Sequence, residues 1–279
     1  MSGARSSRIL GSTEGKRVRI AVLSTVVVFG GLALLIVRSP GWSEPNGVRD
    51  QFFNWPVLVD GLPKIAEKFG TNVAMFLLAE AIILVLGLAI AVLRSLPGPL
   101  FTPVRLLATA YADFFRGVPT LLVIALLGYG MPALDLRGVP NSDFFWAIVA
   151  LSLVYAAYVS EVYRAGIQSI HPSQVAAARS LGLGRWQATR YVVLPQAVRR
   201  VVPPLLNDFI GLQKDTALVA FLGVTEALRQ AQILQASLFN FTPYVALAIV
   251  FVVITIPQAR FVDWLIARDQ ARRLAGGDG

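Results

Sequence analysis

Residues 71–93 read TNVAMFLLAEAIILVLGLAIAVL, a run whose single ionisable side chain is Glu80. At about 1.5 Å per residue, roughly 20 helical residues cover the ~30 Å hydrocarbon core of a bilayer. A run of this length and uniformity predicts a membrane-crossing helix, and the pattern repeats along the chain. Apolar segments recur at 18–37, 106–129, 144–158, 197–221 and 244–266. The expected fold is all-α and polytopic, with six transmembrane helices: one amino-terminal helix set apart from a later group of five.

Composition points the same way. The 279 residues are 56% hydrophobic and 15% charged, with mean hydropathy +0.64. A soluble domain carries about 25% charged residues, so this chain is too short of charge to clothe a water-facing surface. The formal net charge of +9 does not call for nucleic acid, because a basic docking face needs solvated surface. Membrane proteins instead concentrate Lys and Arg in cytoplasmic loops. With the amino terminus inside, 17 of the 25 Lys and Arg fall on the cytoplasmic side, seven fall outside and Arg116 lies within a span. Both termini are therefore expected in the cytoplasm. The 18–37 run exceeds a signal-peptide core of about 7–15 residues, and Val37-Arg38-Ser39-Pro40 is a poor cleavage site. An uncleaved anchor is expected.

These readings divide the chain into a cytoplasmic tail (1–17), a first span (18–37), an external segment (38–70), a core (71–266) and a cytoplasmic tail (267–279), with a cytoplasmic loop at 161–196 inside the core. The ends, 1–15 and 275–279, are small and polar and are expected to lack fixed structure. In the external segment Leu62, Ile65 and Phe69 recur at i, i+3, i+7 opposite Lys64, Glu67 and Lys68. That spacing predicts a short amphipathic helix lying in the interface, among Trp42, Phe52, Phe53 and Trp55.

The loop 171–195, HPSQVAAARSLGLGRWQATRYVVLP, is neither a tight turn nor a flexible linker. Pro172 suits a first helical turn, Ala176-Ala177-Ala178 has the highest helix propensity available, and Gly182 stands where a cap ends the helix. A second helix is expected from Arg185 toward Leu194, broken by Pro195. Two short helices around a glycine elbow, carrying Arg179, Arg185 and Arg190, form a rigid projection suited to a groove on a partner. Trp186 either packs between the two helices or anchors that partner.

This loop resembles the EAA motif of ABC-transporter permease subunits, EAA-x3-G-x9-I-x-LP: Ala177, Ala178, Gly182, Val192, Leu194 and Pro195 fall at its spacing. The flanking stretches 111–122, 157–174 and 194–218 resemble the polar amino acid permeases of type I importers, so the likeness covers roughly 70–265. The first span resembles the added element of some glutamate-importer permeases. The chain departs from the motif at Ala176, where the family has an acidic residue, so one carboxylate of the motif is missing. The resemblance implies a bacterial cytoplasmic-membrane protein that pairs with a second permease, identical or different. It implies two ATP-binding subunits seated on the loops, holding ATP and Mg²⁺, and an extracytoplasmic amino-acid-binding protein. Polar L-amino acids, glutamate first, are the implied substrates.

Catalytic chemistry is not expected of the chain alone. The stretch 11–17, GSTEGKR, falls one residue short of a phosphate-binding loop and has Arg17 where Ser or Thr would hold Mg²⁺. Cysteine is absent and His171 is the sole histidine, which removes thiolate sites and leaves His-based catalysis little to work with; no metal or other cofactor is expected here. Polar groups inside the spans are the functional candidates, because charge at the bilayer centre costs about 3 kcal/mol. Glu80 is mid-span, and the fifth span, expected to break at Pro203-Pro204, carries Asn207, Asp208, Gln213, Lys214, Asp215 and Thr216. We take Glu80, Asn207, Gln213, Lys214 and Thr216 as candidate path residues, Lys214 for a substrate carboxylate. Asp113 and Arg116, three apart, can neutralise each other beside a kink at Gly117 and Pro119. Glu161 and Arg164 at the cytoplasmic mouth are either a gate or a brace. The rival reading is an ion-coupled transporter or channel using Glu80 and Asp208.

Overall fold

A computed structural model describes residues 3–275; the side chains at 3–18, 185, 269 and 272–275 lie outside that description. The chain forms α1 (Gly3–Arg38), the short turns α2 (Pro40–Ser43) and α3 (Val48–Phe52), and α4 (Trp55–Ser95). There follow α5 (Thr102–Gly117), α6 (Thr120–Ala133), α7 (Asp143–Gln168), α8 (Pro172–Ser180) and α9 (Arg185–Ala188). The last are α10 (Leu194–Asp215), α11 (Ala227–Leu238) and α12 (Thr242–Ala275).

Four helices are long and apolar enough to cross a bilayer unbroken, within 19–38, 48–95, 143–168 and 242–268. Two bent helix pairs are long and apolar enough only when each pair is taken together. The first joins α5 to α6 through a 101° turn, and the second joins the helix running from Trp186 to Leu222 to α11 at 50°. The chain is thus all-helical with up to six spans. The first bend falls where Gly117 ends α5 and extended Val118 leads into Pro119, so the expected kink is a full break.

Three expectations need correction. The amino-terminal stretch from Gly3 onward is helical and continuous with the first span; residues 276–279 lie outside the described part. The helix expected in the interface is the first third of α4, a single element of 41 residues. Asn54 starts it by accepting from the Val57 N–H at 3.3 Å. Its apolar stripe does not face lipid: Ile65 and Phe69 are buried against Ala227 and Ala231 of α11 and Ala246, Leu247 and Val250 of α12. At about 60 Å, α4 is twice as long as the hydrocarbon core is thick, so this third extends past it.

The third correction concerns prolines. Pro195 does not end a helix but sits in the first turn of α10, after a single wide π turn at Thr189–Val193. That turn spaces out the carbonyls that a proline ring would otherwise strike. Pro203 and Pro204 likewise lie inside continuous α10. The span breaks instead at the tight turn Thr216–Leu222, followed by Gly223.

The core centres on α7. Met75, Phe76, Ala79 and Ile83 of α4, Ile124 of α6 and Leu212 of α10 close around Ala147, Leu151 and Val154. Phe76 meets Phe209 edge to face, centroids 4.3 Å apart. By contrast α1 is exposed along its apolar length, as a helix solvated by lipid would be. The close approach of α4 to α7 depends on Gly87, where a Cβ would lie 3.1 Å from Val159 Cβ and 3.3 Å from the Ala156 carbonyl. Gly87→Ala should prise these helices apart and cost about 1–3 kcal/mol, read as a lower Tm of the purified protein by tryptophan fluorescence.

Candidate functional site

Two neighbouring cavities run along the face between α7 and α10. The larger, about 430 Å³, is lined by Arg116 at the end of α5, by Tyr158, Glu161 and Ser169 from α7 and its cap, and by Arg200, Pro204 and Asp208 of α10 among others. The smaller, about 180 Å³, lies between Thr120, Tyr155, Tyr158, Asn207, Asp208 and Asp215. Tyr158 and Asp208 line both. The helical period explains the grouping: 200, 204, 208, 211 and 215 recur at three or four residues and form one stripe of α10.

The charges on this face divide into occupied and free. Glu161 accepts from Arg94 at 2.8 Å and from Arg164 Nε at 3.1 Å, and Arg164 also donates to Gln168 at 2.6 Å. Arg94, on α4, was counted in the sequence only as a topology marker, yet it is the less exposed of the two arginines. Glu161 is therefore spent on a brace joining α4 to α7. Arg116 and Arg200 form no ion pair among the described residues. The guanidinium of Arg200 donates to the Ser169 carbonyl. Asp215 accepts from the Tyr155 hydroxyl at 2.9 Å, whereas Asp208 Oδ2 is buried without a hydrogen-bond partner among the described residues.

The structure distributes the other candidates differently. Asn207 lines the smaller cavity, and Glu80 lies within electrostatic reach of Asp208 and Tyr163. Lys214 is exposed and lines neither cavity. Gln213 and Thr216 are buried away from both. Asp113 and Arg116 make no ion pair: both are exposed, and Arg116 turns to the cavity rather than back along α5.

Thr216 belongs to a buried polar knot that was not anticipated. Asn72 of α4 donates through Nδ2 to Glu226 Oε2 at 2.8 Å and to Thr216 Oγ1 at 3.1 Å, while its Oδ1 accepts from the Ala227 N–H at 3.0 Å. Fully buried Glu226 also caps α11, accepting from the Leu228 and Arg229 N–H groups at 2.9 and 2.8 Å. A carboxylate at a helix N-terminus is favoured by the exposed donors and the helix dipole. An acidic residue just before the run Ala-Leu-Arg-Gln was the available signal, with nothing in sequence to link it to Asn72.

The loop is built as two helices. His171 opens α8, its Nδ1 accepting from the Ser173 N–H at 3.2 Å. Ala176, Ala177 and Arg179 are exposed and Ala178 is buried. Gly182 holds φ +85°, the left-handed conformation that favours glycine. Leu194 and Pro195 are exposed, and the Arg185 side chain lies outside the described ones. Trp186 does not pack between the helices; it is 71% exposed.

A many-span helical chain with a charged groove and a rigid basic loop has the parts of a membrane transport component. The family model for the binding-protein-dependent transport system inner membrane component matches residues 83–268. The probable glutamine ABC transporter permease protein GlnM of Bacillus subtilis is 35% identical over 216 residues, 77% of this chain and 97% of that protein. The glutamate/aspartate import permease protein GltK of Escherichia coli is 35% identical over 184 residues, 64% of this chain and 81% of that one. The crystal structure of an amino acid ABC transporter with histidines aligns with TM-score 0.64 at 32% identity, covering 76% of this chain and 94% of that chain. The chain belongs to this family, and it is a permease component of an amino-acid ABC importer.

Burial separates the two carboxylates that matter most. Glu226→Gln puts an amide donor against backbone N–H groups with no water to relieve it, and should cost about 3 kcal/mol. Glu161→Gln strands two partly solvated arginines and should cost roughly 1–2 kcal/mol. Paired thermal melts of the two variants check this order.

Proposed function

We propose that this chain forms half of the membrane pathway of an ATP-driven importer for polar L-amino acids, with glutamate the first substrate. The supporting observation is the charge balance of the α7–α10 groove. With Glu161 taken by Arg94 and Arg164, the larger cavity offers two guanidiniums, Arg116 and Arg200, and one buried unpartnered carboxylate oxygen, on Asp208. Glutamate presents the complement, two carboxylates and one ammonium. Charge-assisted, bidentate hydrogen bonds from guanidinium match the geometry of carboxylates. Lys214 has no part in this reading.

The proposed assembly lies in the bacterial cytoplasmic membrane with both termini inside. The EAA-like loop, Ala176 to Pro195, seats an ATP-binding subunit, a second permease completes the path, and an extracytoplasmic amino-acid-binding protein delivers substrate. ATP and Mg²⁺ sit on the ATP-binding subunits. Closure of those subunits displaces the two loops, and because α9 runs through the π turn into α10, a push on the loop moves the stripe that carries Arg200 and Asp208. Two-state switching of this kind needs only that ATP bind one arrangement better than the other.

Reconstituted importer with internal ATP provides the test. Arg116→Gln and Arg200→Gln should each lower glutamate transport about tenfold, the worth of one charge-assisted hydrogen bond, with a smaller loss for glutamine. Equal loss for both amino acids would place the arginines in the scaffold. Uptake should persist when proton and sodium gradients are collapsed, which an ion-coupled transporter could not sustain.

A further inference from the structure

The last span ends in a feature that the groove does not use, since no residue of α12 lines either cavity. α12 begins at Thr242, directly after the turn that follows α11. Phe239 in that turn is exposed, and irregular backbone is not tolerated against hydrocarbon, so the turn marks one face of the membrane. Trp264 lies about 33 Å further along the helix, which matches the ~30 Å hydrocarbon core. Arg268 stands about 6 Å beyond it, in the opposite headgroup layer.

At that depth the outer face of α12 changes chemistry. Val253 and Ile256 are exposed and apolar. Arg260, Trp264 and Arg268 follow at four-residue spacing, which places them on one stripe. The Arg268 guanidinium lies over the Trp264 indole, 5.1 Å from the ring centroid, and Phe261 stacks on the same ring at 5.9 Å. Arg260 pairs with Asp263 at 3.6 Å, whereas Arg268 has no ion pair among the described residues. A ring face attracts the cation without using its N–H donors, so they stay free for a ligand.

We propose that this end of α12 binds an anionic phospholipid: Arg268, held on Trp264, takes the headgroup phosphate, Arg260 flanks it, and Val253 and Ile256 lie along an acyl chain. Chemistry and depth together select a lipid over a soluble partner. An apolar stripe, then an indole, then a free guanidinium is the order in which a phospholipid presents its chain, its glycerol region and its phosphate. Charge agrees, with four arginines against two aspartates from Gln258 to Ala275. With both termini inside, as proposed above, the site faces the cytoplasmic leaflet, where anionic lipid collects.

The test places the full chain, in its importer complex, in phosphatidylcholine nanodiscs. A minor fraction of the lipid carries bromine on acyl carbons near the headgroup, as either phosphatidylglycerol or phosphatidylcholine. Bromine quenches a neighbouring indole, and the difference between wild type and Trp264→Phe isolates the Trp264 signal. Brominated phosphatidylglycerol should be enriched at Trp264 about fivefold over brominated phosphatidylcholine, the worth of one arginine at an anionic surface. Arg268→Gln should abolish that preference, Arg268→Lys should keep part of it, and Arg137→Gln, in the α6–α7 connection, should leave it unchanged. Raising KCl from about 0.1 to about 1 M should reduce it by screening. All three positions are exposed, and unchanged melting of the variants confirms that the helix is intact. Equal quenching by the two lipids overturns the inference, as does a preference that survives Arg268→Gln. Displacement of the brominated lipid by inorganic phosphate would mean a free-anion site. Absence of quenching would mean that another protein covers this face, which overturns it as well.

Discussion

Glu226 is fully buried, and the course of the second half of the chain depends on how its carboxylate is satisfied. Two acceptors come from its oxygens to the first N–H groups of α11, and a further contact comes from Asn72 on α4. An unpaired charge at that depth would cost several kcal/mol, so α11 has one low-energy starting point and one partner helix. The same amide reaches Thr216, at the head of the tight turn that ends α10. One side chain of α4 thus fixes both the end of α10 and the beginning of α11, and with them the 50° bend between the two halves of that crossing.

Fixing that bend is what allows the groove to carry charge. Asp208 and Asp215 lie about two turns before Thr216 and immediately before it, on the face toward α7, while Gln213 and Thr216 face inward. A rotation of α10 by one residue, about 100°, would carry Asp208 and Asp215 into the core. The buried knot and the polar groove are therefore alternate faces of one helix. On the opposite wall, the Arg94–Glu161–Arg164 brace removes Glu161 from the cavity's charge balance. Without it the cavity would present two carboxylates against Arg116 and Arg200 rather than one.

What the sequence made legible follows from the range of each interaction. Spans were readable because twenty apolar residues are a local property, and the Gly182 elbow because it needs only a cap and a helix on each side. The beginning of α4 was misread because its amphipathic stripe fits lipid and protein equally well; only α11 and α12, some 160 residues on, decide which it meets. Prolines misled for a related reason. Pro195 and Pro203-Pro204 remove donors that a local rule counts as fatal, but a preceding π turn and a long packed helix tolerate them. Within the groove, Asn207 was visible as a polar residue in an apolar run. Arg94 and Arg200 were not, since each was already explained as a cytoplasmic charge.

On the coupling role proposed above, a push on the loop has a helical path to the α7–α10 groove. Between Trp186 and Asp215 the backbone stays helical, with one π turn, and the tight turn Thr216–Leu222 follows. Packed helices switch between discrete arrangements rather than bend smoothly, so displacement at α9 is conveyed along α10 as rigid-body motion. Arg200, Pro204 and Asp208 stand at one-turn intervals on that rod. The knot at Asn72 holds its far end to α4, which leaves the loop end as the free arm. On that coupling role, a pivot at the knot and a lever ending at the loop would open or close the α7–α10 groove, since Arg190 in the π turn and Thr216 in the knot stand at opposite ends of α10.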